Sequence, residues 1–275
     1  MKQGFVKVAA VTPKIVVADT KENTALICAE IKKAEKEGAK IIVLPELCIT
    51  GYTCSDLFLQ EKMLREARQS LLEIAAFTFA LDCIVFVGLP LEYNGTLYNV
   101  AAAVSNGKVL GFVPKTYLPN YNEFYEARHF TRGMEETVQV SLGEEVVPMG
   151  KKLLFTCQTM PELKIGVELC EDLWTPEPPS IRHALNGANV IVRLLRNLND
   201  SDGSKLQHRT GCNPEYEGPL GRYQKSGAGR INYACIPDLL YDSIKVNRQD
   251  RLTKVIEFPQ REGGGLSVRK TVDKI

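Results

Sequence analysis

The first 192 residues alternate short apolar runs with longer segments of helical periodicity, and this alternation restricts the fold more than any other feature. Residues 41–44 form a fully apolar run, which is typical of a buried strand. Residues 23–37 repeat apolar side chains on one helical face and stop at Gly38. The pair Asn106-Gly107 lies between apolar runs and predicts a β-hairpin, because both residues accept the positive φ of a tight turn. The pattern therefore predicts layered α/β architecture with an antiparallel-rich sheet, unlike a doubly wound parallel one.

The remaining predicted elements follow the same alternation. Further strands are predicted at residues 5–11, 84–89, 98–104, 109–113, 152–157, 164–169 and 188–192, and further helices at residues 61–81 and after Pro178-Pro179.

Composition excludes several classes of protein. The hydrophobic fraction is 44% and the charged fraction 24%, which is typical of an ordinary globular domain and not of a disordered chain. No run approaches the ~18 apolar residues of a membrane span. The first twelve residues are too short and too polar for a signal peptide, so they are interpreted as the first strand of a cytoplasmic protein. A net charge of +1 gives no indication of nucleic-acid binding.

The cysteines and histidines indicate neither disulfides nor a metal site. The eight cysteines include no Cys-x-x-Cys pair, so a reducing compartment suits them. The three histidines, at positions 129, 183 and 208, lie far apart in sequence. A histidine-based metal site or a Ser/His/Asp triad is therefore less favoured, although the spacing excludes neither.

The character of the chain changes after residue 192. Residues 1–192 carry 19 Lys+Arg against 23 Asp+Glu, whereas residues 193–275 carry 15 against 10. Strand-like pieces persist only at residues 231–236 and 252–258. We therefore expect one domain over residues 1–192, with residues 193–275 a divergent continuation or the product of an altered reading frame or a wrongly joined fragment.

Three reactive residues each follow a predicted apolar strand closely, where α/β proteins tend to place their active sites. They are Glu46, Lys115 and Cys170. Taken singly, each has a structural explanation: a surface or capping glutamate, a solvated lysine, and a small core cysteine. Together they form a nucleophile, a base and a cation, which suffice for acyl transfer without histidine.

The residues around these three resemble a known family. The motifs are Leu44-Pro45-Glu46-Leu47 with Thr50-Gly51-Tyr52-Thr53-Cys54-Ser55-Asp56-Leu57-Phe58, the run from Lys115 to Arg128, and Cys170-Glu171-Asp172-Leu173-Trp174. They are similar to the nitrilase (carbon–nitrogen hydrolase) superfamily and, within it, to the N-terminal glutaminase domains of glutamine-dependent NAD synthetases. The resemblance implies a four-layer αββα sandwich in which Cys170 attacks the side-chain amide of glutamine, Glu46 moves protons and Lys115 holds the oxyanion.

The resemblance also implies supporting residues. Glu126 matches a further glutamate that orients the lysine and the base. Tyr52, Tyr121 and Glu171 match positions that line the substrate pocket, although tyrosines beside a strand are as often packing residues and Glu171 could be an N-cap.

The resemblance implies no cofactor and no metal for the glutaminase part. Its partners would be glutamine as substrate, a synthetase domain and further copies of the chain, with no nucleic acid and no membrane. No Ser-Gly-Gly pyrophosphate loop occurs in the sequence, so ATP, magnesium and deamido-NAD are expected only in a synthetase domain absent from this chain. Two alternatives stay open: a stand-alone amidase or carbamoylase acting on another small amide, and an inactive truncated relative that acts only in oligomerisation.

Overall fold

The computed structural model describes residues 6–121, 124–196, 231–235 and 254–258. Most of the continuation after residue 196 therefore lies outside the described residues, as do Asn122 and Glu123 of the motif that follows Lys115. The elements in chain order are β1 (Lys7–Val11), α1 (Thr20–Lys36), β2 (Ile41–Val43), α2 (Glu61–Phe77), β3 (Ile84–Tyr93), β4 (Thr96–Ser105), β5 (Lys108–Pro114), β6 (Val138–Leu142), β7 (Glu145–Met149), β8 (Leu153–Cys157), β9 (Met160–Leu169), α3 (Pro179–Leu185), β10 (Val190–Leu194), β11 (Ile231–Cys235) and β12 (Lys254–Phe258).

Two sheets form the centre of the molecule. The larger sheet has the strand order β11-β1-β2-β3-β4-β5-β7-β6, and the smaller has the order β10-β9-β8-β12. The predicted excess of antiparallel pairing is confirmed in the larger sheet, where four of the seven described pairings are antiparallel, although both sheets also contain parallel pairs. The helices α1 and α2 cross back between β1, β2 and β3, and such crossovers make consecutive strands parallel.

Apolar side chains from both sheets form the inner core. Phe86 on β3 meets Phe155 on β8 edge to face, with ring centroids 5.5 Å apart. Ala101 and Ala103 of β4 pack in the same cluster as Ile165 and Val167 of β9. Small side chains on one sheet thus face larger ones on the other, as close packing between sheets requires.

Helices cover the outer faces, which confirms the predicted αββα layers. Ile27 and Ile31 of α1, with Leu71 and Ile74 of α2, are buried against the large sheet. On the small sheet, α3 lies over β9, and His183 packs directly on Gly166, where an added Cβ would come within 2.7 Å of the His183 Cβ. Burial of His183 lowers the pKa of its ring.

The predicted elements agree with the structure apart from their ends and two missed hairpins. Helix α2 stops at Phe77, short of the predicted residue 81, because Ala80 takes the left-handed φ of 75°. Asn94 and Gly95 join β3 to β4 through a second turn of positive φ, which lengthens β3 to Tyr93. The β6–β7 hairpin was not predicted. Within the described residues, no helix has the length and apolar character needed to cross a membrane.

Candidate active site

Glu46 lies in a tight turn just after β2, at the carboxyl end of that interior strand of the large sheet. Strand β3 supports the turn, because the carbonyl of Phe86 in β3 accepts the N–H of Leu44 at 2.9 Å. A Cβ built on Gly88 would lie 2.4 Å from the Leu47 nitrogen and 2.8 Å from the Glu46 Cα. Leu47 itself has a φ of 51°, which few non-glycine residues adopt. The backbone of Glu46 therefore packs directly against Gly88 of β3, with no room for a larger residue there.

Lys115 follows β5 and is fully buried. Its Nζ lies 2.6 Å from Glu46 Oε1 and 2.6 Å from Glu126 Oε1. Burial opposes the charge of the ammonium, but the two carboxylates outweigh it and raise the pKa of Lys115 above its usual range. Lys115 is thus a fixed cation between two glutamates.

Glu126 begins a single 3-10 turn, Glu126–Arg128, and is also buried. The hydroxyl of Tyr52 donates to its Oε1 at 2.5 Å. Burial, followed by the charge of Glu46, raises the pKa of Glu126 to about 7. The structure therefore brings Glu126 to Lys115, and it ties Tyr52 to Glu126.

Cys170 is the first residue of the turn Cys170–Trp174, which follows β9 without a break. Its φ of 39° is left-handed, so the turn is sharp at the sulfur-bearing residue itself. Burial and then the charge of Glu46 raise the pKa of the thiol to about 12, while Lys115 and the backbone N–H of Arg196 act in the opposite direction. The charges of Glu46 and Lys115 thus act on the thiol, and the three residues form one electrostatic cluster.

The cluster lies where the two sheets meet. The N–H of Glu46 donates to the carbonyl of Leu195 at 2.9 Å, and Glu46 forms an isolated parallel bridge with Arg196, just beyond β10. Because Cys170 follows β9 and Glu46 follows β2, each sheet supplies part of the site.

Asn99 of β4 belongs to this cluster, although the sequence analysis missed it. Its Nδ2 donates to Glu46 Oε1 at 2.7 Å, and its backbone carbonyl accepts the N–H of Lys115 at 2.9 Å. The available signal was an asparagine within the apolar strand predicted at residues 98–104, since a polar group in a buried strand is seldom kept without a partner.

Asp172 was also missed as a member of the site. Its buried carboxylate accepts the N–H groups of Leu169 at 3.0 Å, Thr116 at 3.0 Å and Tyr117 at 2.8 Å. Burial raises the pKa of Asp172 to about 6, against the effect of these donors. One carboxylate therefore joins the residue before Cys170 to the two residues after Lys115.

Tyr121 and Glu171 form a separate, more exposed pair. The Tyr121 hydroxyl lies 3.0 Å from both carboxylate oxygens of Glu171. Burial, followed by the hydrogen bond to Glu171, raises the pKa of Tyr121. The guanidinium of Arg196 lies 4.7 Å from the centre of the Tyr52 ring and 5.6 Å from that of Phe124. The roles of Tyr52, Tyr121 and Glu171 in substrate binding stay predictions.

The cluster has the parts of an acyl-transfer site: a thiol on a sharp turn, an adjacent carboxylate and a buried ammonium group. Three buried oxygens in it, Glu46 Oε2, Glu126 Oε2 and Asn99 Oδ1, accept no hydrogen bond within the part of the chain that the structure describes. Among those residues, no group of three or more His, Cys, Asp or Glu side chains could hold a metal ion.

Fold and site together define a carbon–nitrogen hydrolase, and residues 7–212 match that family, so the chain belongs to it. A relative from Mycobacterium leprae, named glutamine-dependent NAD(+) synthetase, is 37% identical over 192 residues, which make up 70% of this chain and 28% of the relative. The solved glutamine-dependent NAD(+) synthetase of Cytophaga hutchinsonii superposes with a TM-score of 0.61 at 31% identity, covering 69% of this chain and 30% of that one.

A second class of solved structure shares the fold. An amidase from Nesterenkonia sp. superposes with a TM-score of 0.53 at 20% identity, covering 71% of this chain and 66% of the amidase. The chain spans less than a third of the length of the synthetases described above.

Proposed function

We propose that this chain is a glutaminase domain that hydrolyses the side-chain amide of glutamine through a thioester on Cys170. The sulfur attacks the amide carbon and forms an S–C bond, while Glu46 accepts the thiol proton. The tetrahedral oxyanion is stabilised by Lys115. Collapse of this intermediate breaks the C–N bond, and Glu46 returns the proton to the leaving ammonia.

The second half of the reaction reuses the same groups. Glu46 removes a proton from water, and the hydroxide attacks the thioester carbonyl. The C–S bond breaks, and the thiol recovers its proton. Glutamate and ammonia are the products, and no oxidant, metal or cofactor enters the balance.

The observation that carries this proposal is the buried network of Glu46, Lys115 and Glu126 beside a thiol of raised pKa. A thiol with a pKa of about 12 is protonated at neutral pH, so its reaction needs a base at hand. Glu46 has Oε1 occupied by Lys115 and Asn99, but its Oε2 has no partner among the described residues. That free oxygen is the proposed proton acceptor.

Glutamine as the substrate is supported by the names of the two synthetase relatives and by the Tyr121–Glu171 pair. The α-ammonium group of glutamine needs an anionic partner, and the Glu171 carboxylate offers one beside Cys170. In a longer protein, the released ammonia would serve an ATP-dependent synthetase domain that amidates deamido-NAD with magnesium. Assembly into a homo-oligomer and a cytoplasmic location belong to the same proposal.

The test measures ammonia and glutamate release from glutamine by the wild type and by Cys170→Ala. We expect stoichiometric release by the wild type and none by the variant. Equal release by both would overturn the mechanism. A matched control is Cys157→Ala, because Cys157 is a buried thiol of the inner core, outside the cluster.

A substrate panel separates glutamine from other amides. The ranking compares kcat/KM for glutamine with that for propionamide and for an N-carbamoyl amino acid. Glutamine ranking below either would favour the stand-alone amidase or carbamoylase. A folded wild type whose Cys170 does not react with a glutamine-like electrophile would favour the inactive relative.

A further inference from the structure

Asn99 holds two residues of the site at once from a position within β4. Asn99 is fully buried and lies opposite Pro90 in the antiparallel pairing with β3. Its backbone carbonyl accepts the N–H of Lys115, and its side chain reaches Glu46. Asn99 therefore contacts both the proposed base and the backbone that carries the proposed cation.

The hydrogen bonds to Glu46 distinguish the two oxygens of its carboxylate. Oε1 accepts from Asn99 Nδ2 at 2.7 Å and from Lys115 Nζ at 2.6 Å. Oε2 is buried and accepts from no residue that the structure describes. A carboxylate oxygen that already accepts two strong donors is a poorer proton acceptor than one that accepts none.

We propose that Asn99 is a positioning residue that occupies Glu46 Oε1 and so reserves Oε2 for proton exchange with Cys170. The inference rests on the proposed function of Glu46 as the base. Lys115 alone could donate to either oxygen after a rotation of the carboxylate. The Asn99 amide, fixed within a strand, removes that freedom.

The state of Asn99 itself argues against a purely structural role. Its Oδ1 is buried and has no partner within the described residues, which costs folding free energy. Asn23 offers the contrast, because its Oδ1 accepts the N–H of Val16 at 2.8 Å and its Nδ2 donates to the carbonyls of Val16 at 2.8 Å and Ile49 at 3.0 Å. The side-chain oxygen and nitrogen of Asn23 both make hydrogen bonds to the backbone, which hold the fold together. The side chain of Asn99 makes a single hydrogen bond among the described residues, to Glu46.

Loss of the Asn99 amide is expected to change the pH dependence of the reaction at Cys170. The titratable groups around Glu46 are Lys115, Glu126, Tyr52 and Cys170. These groups remain in an Asn99→Leu variant, whose side chain has the same branching and number of heavy atoms as Asn but lacks the donor. The proposed base then has one donor fewer on Oε1, and a base that loses a hydrogen bond to its charged form takes up a proton more readily, so the reaction at Cys170 is expected to be lost at a higher pH than in the wild type.

The experiment follows alkylation of Cys170 by iodoacetamide across pH 5–9, with peptide mass spectrometry to separate this thiol from the others. Asn99→Leu is expected to move the acid limb of the rate to higher pH by about one unit, which is ~tenfold in rate at a fixed pH on that limb. Its midpoint in urea unfolding is expected to fall, because Leu is larger than Asn at a fully buried position and Glu46 loses a donor. Asn23→Leu is the matched control, with a lowered unfolding midpoint and an unmoved acid limb.

The outcomes separate the inference from the proposed function. An unmoved acid limb in Asn99→Leu overturns the inference, whatever happens to stability. Should Asn99→Leu fail to fold, Asn99→Asp decides the question, because Asp has the shape of Asn. At low pH the introduced carboxyl can donate a proton to Glu46 Oε1. The role of Asn99 is supported if Cys170 reacts at low pH and stops reacting as that carboxyl ionises. Reactivity of Asn99→Asp that follows the wild-type profile overturns it. If glutamine is not hydrolysed but the acid limb still moves, the substrate proposal fails while the role of Asn99 stands.

Discussion

At the scale of single residues, Glu126 is expected to make stability depend on pH. Its pKa of about 7 in the folded chain exceeds the ordinary value of 4.5, so folding favours the protonated carboxyl. The stability that this group contributes is complete below pH 4.5 and is lost as pH rises through 7. Urea unfolding at steps from pH 4.5 to 8 should therefore show a decline that Glu126→Gln removes, with Glu135→Gln on the surface as the control. A decline of equal size in Glu126→Gln would contradict the assignment.

Gly88 supports the position of Glu46 in a way that a mutation can expose. A methyl group there would lie within 2.8 Å of the Glu46 Cα and the Pro45 carbonyl, so Gly88→Ala must push the turn away from β3. We expect a loss of about 1–3 kcal/mol in unfolding free energy and of roughly 10²-fold in kcat. Gly150→Ala is the control, because its added methyl would meet Thr137 Oγ1 at 2.6 Å, outside the cluster. An active Gly88→Ala enzyme would show that the turn can relax.

The residues of the site were predictable in unequal measure. Glu46, Lys115 and Cys170 could be found because each closely follows an apolar strand and carries a reactive group. Asn99 lies within a strand, and Asp172 acts through backbone N–H groups, which no side-chain motif reveals. Roles that depend on contacts between distant segments need the coordinates.

At the scale of elements, Asp172 joins the turn after β9 to the segment after β5. Asp172→Ala leaves the buried N–H of Leu169 and the part-buried N–H groups of Thr116 and Tyr117 without their acceptor, so a loss of about 2 kcal/mol in unfolding free energy is expected. Alkylation of Cys170 should slow in the same variant, since the turn that carries the thiol loses its attachment. Asp172→Asn keeps an oxygen for Thr116 and Tyr117 but turns an amide donor towards the Leu169 N–H. Its stability and its rate of alkylation should therefore lie between those of the wild type and Asp172→Ala. A stable, fully reactive Asp172→Ala variant would contradict this account.

The elements themselves were largely visible in the sequence because periodicity and turn residues act locally. The Asn106-Gly107 hairpin adopts the positive φ values that its two residues favour. The parallel pairings among β1, β2 and β3 could not be located from the sequence, since strand direction depends on how crossovers pack rather than on local pattern. The end of α2 was misplaced because periodicity does not show the left-handed φ of Ala80, and the hydroxyl of Thr78 also accepts the N–H of Gly107 from the distant hairpin.

At the scale of the whole molecule, the two sheets depend on the aromatic contact between Phe86 and Phe155. Both rings are fully buried, and Phe86→Ala should cost about 3–5 kcal/mol of unfolding free energy. Phe79→Ala is the matched control, because that ring is 61% exposed and its loss should change stability by about 0.5 kcal/mol or less. Urea unfolding measures both. Equal losses would mean that the inner core is not where the stability resides.

The location of the site across both sheets has a further consequence. Glu46 is anchored to the chain just beyond β10 through Leu195, and the thiol receives its backbone donor from Arg196. A sideways slip of one layer past the other would leave every helix and strand intact and the far-ultraviolet spectrum unchanged, yet it would part the sulfur from its base. Thiol reactivity therefore serves as a gauge of whether the two layers are correctly seated, finer than any measure of secondary structure.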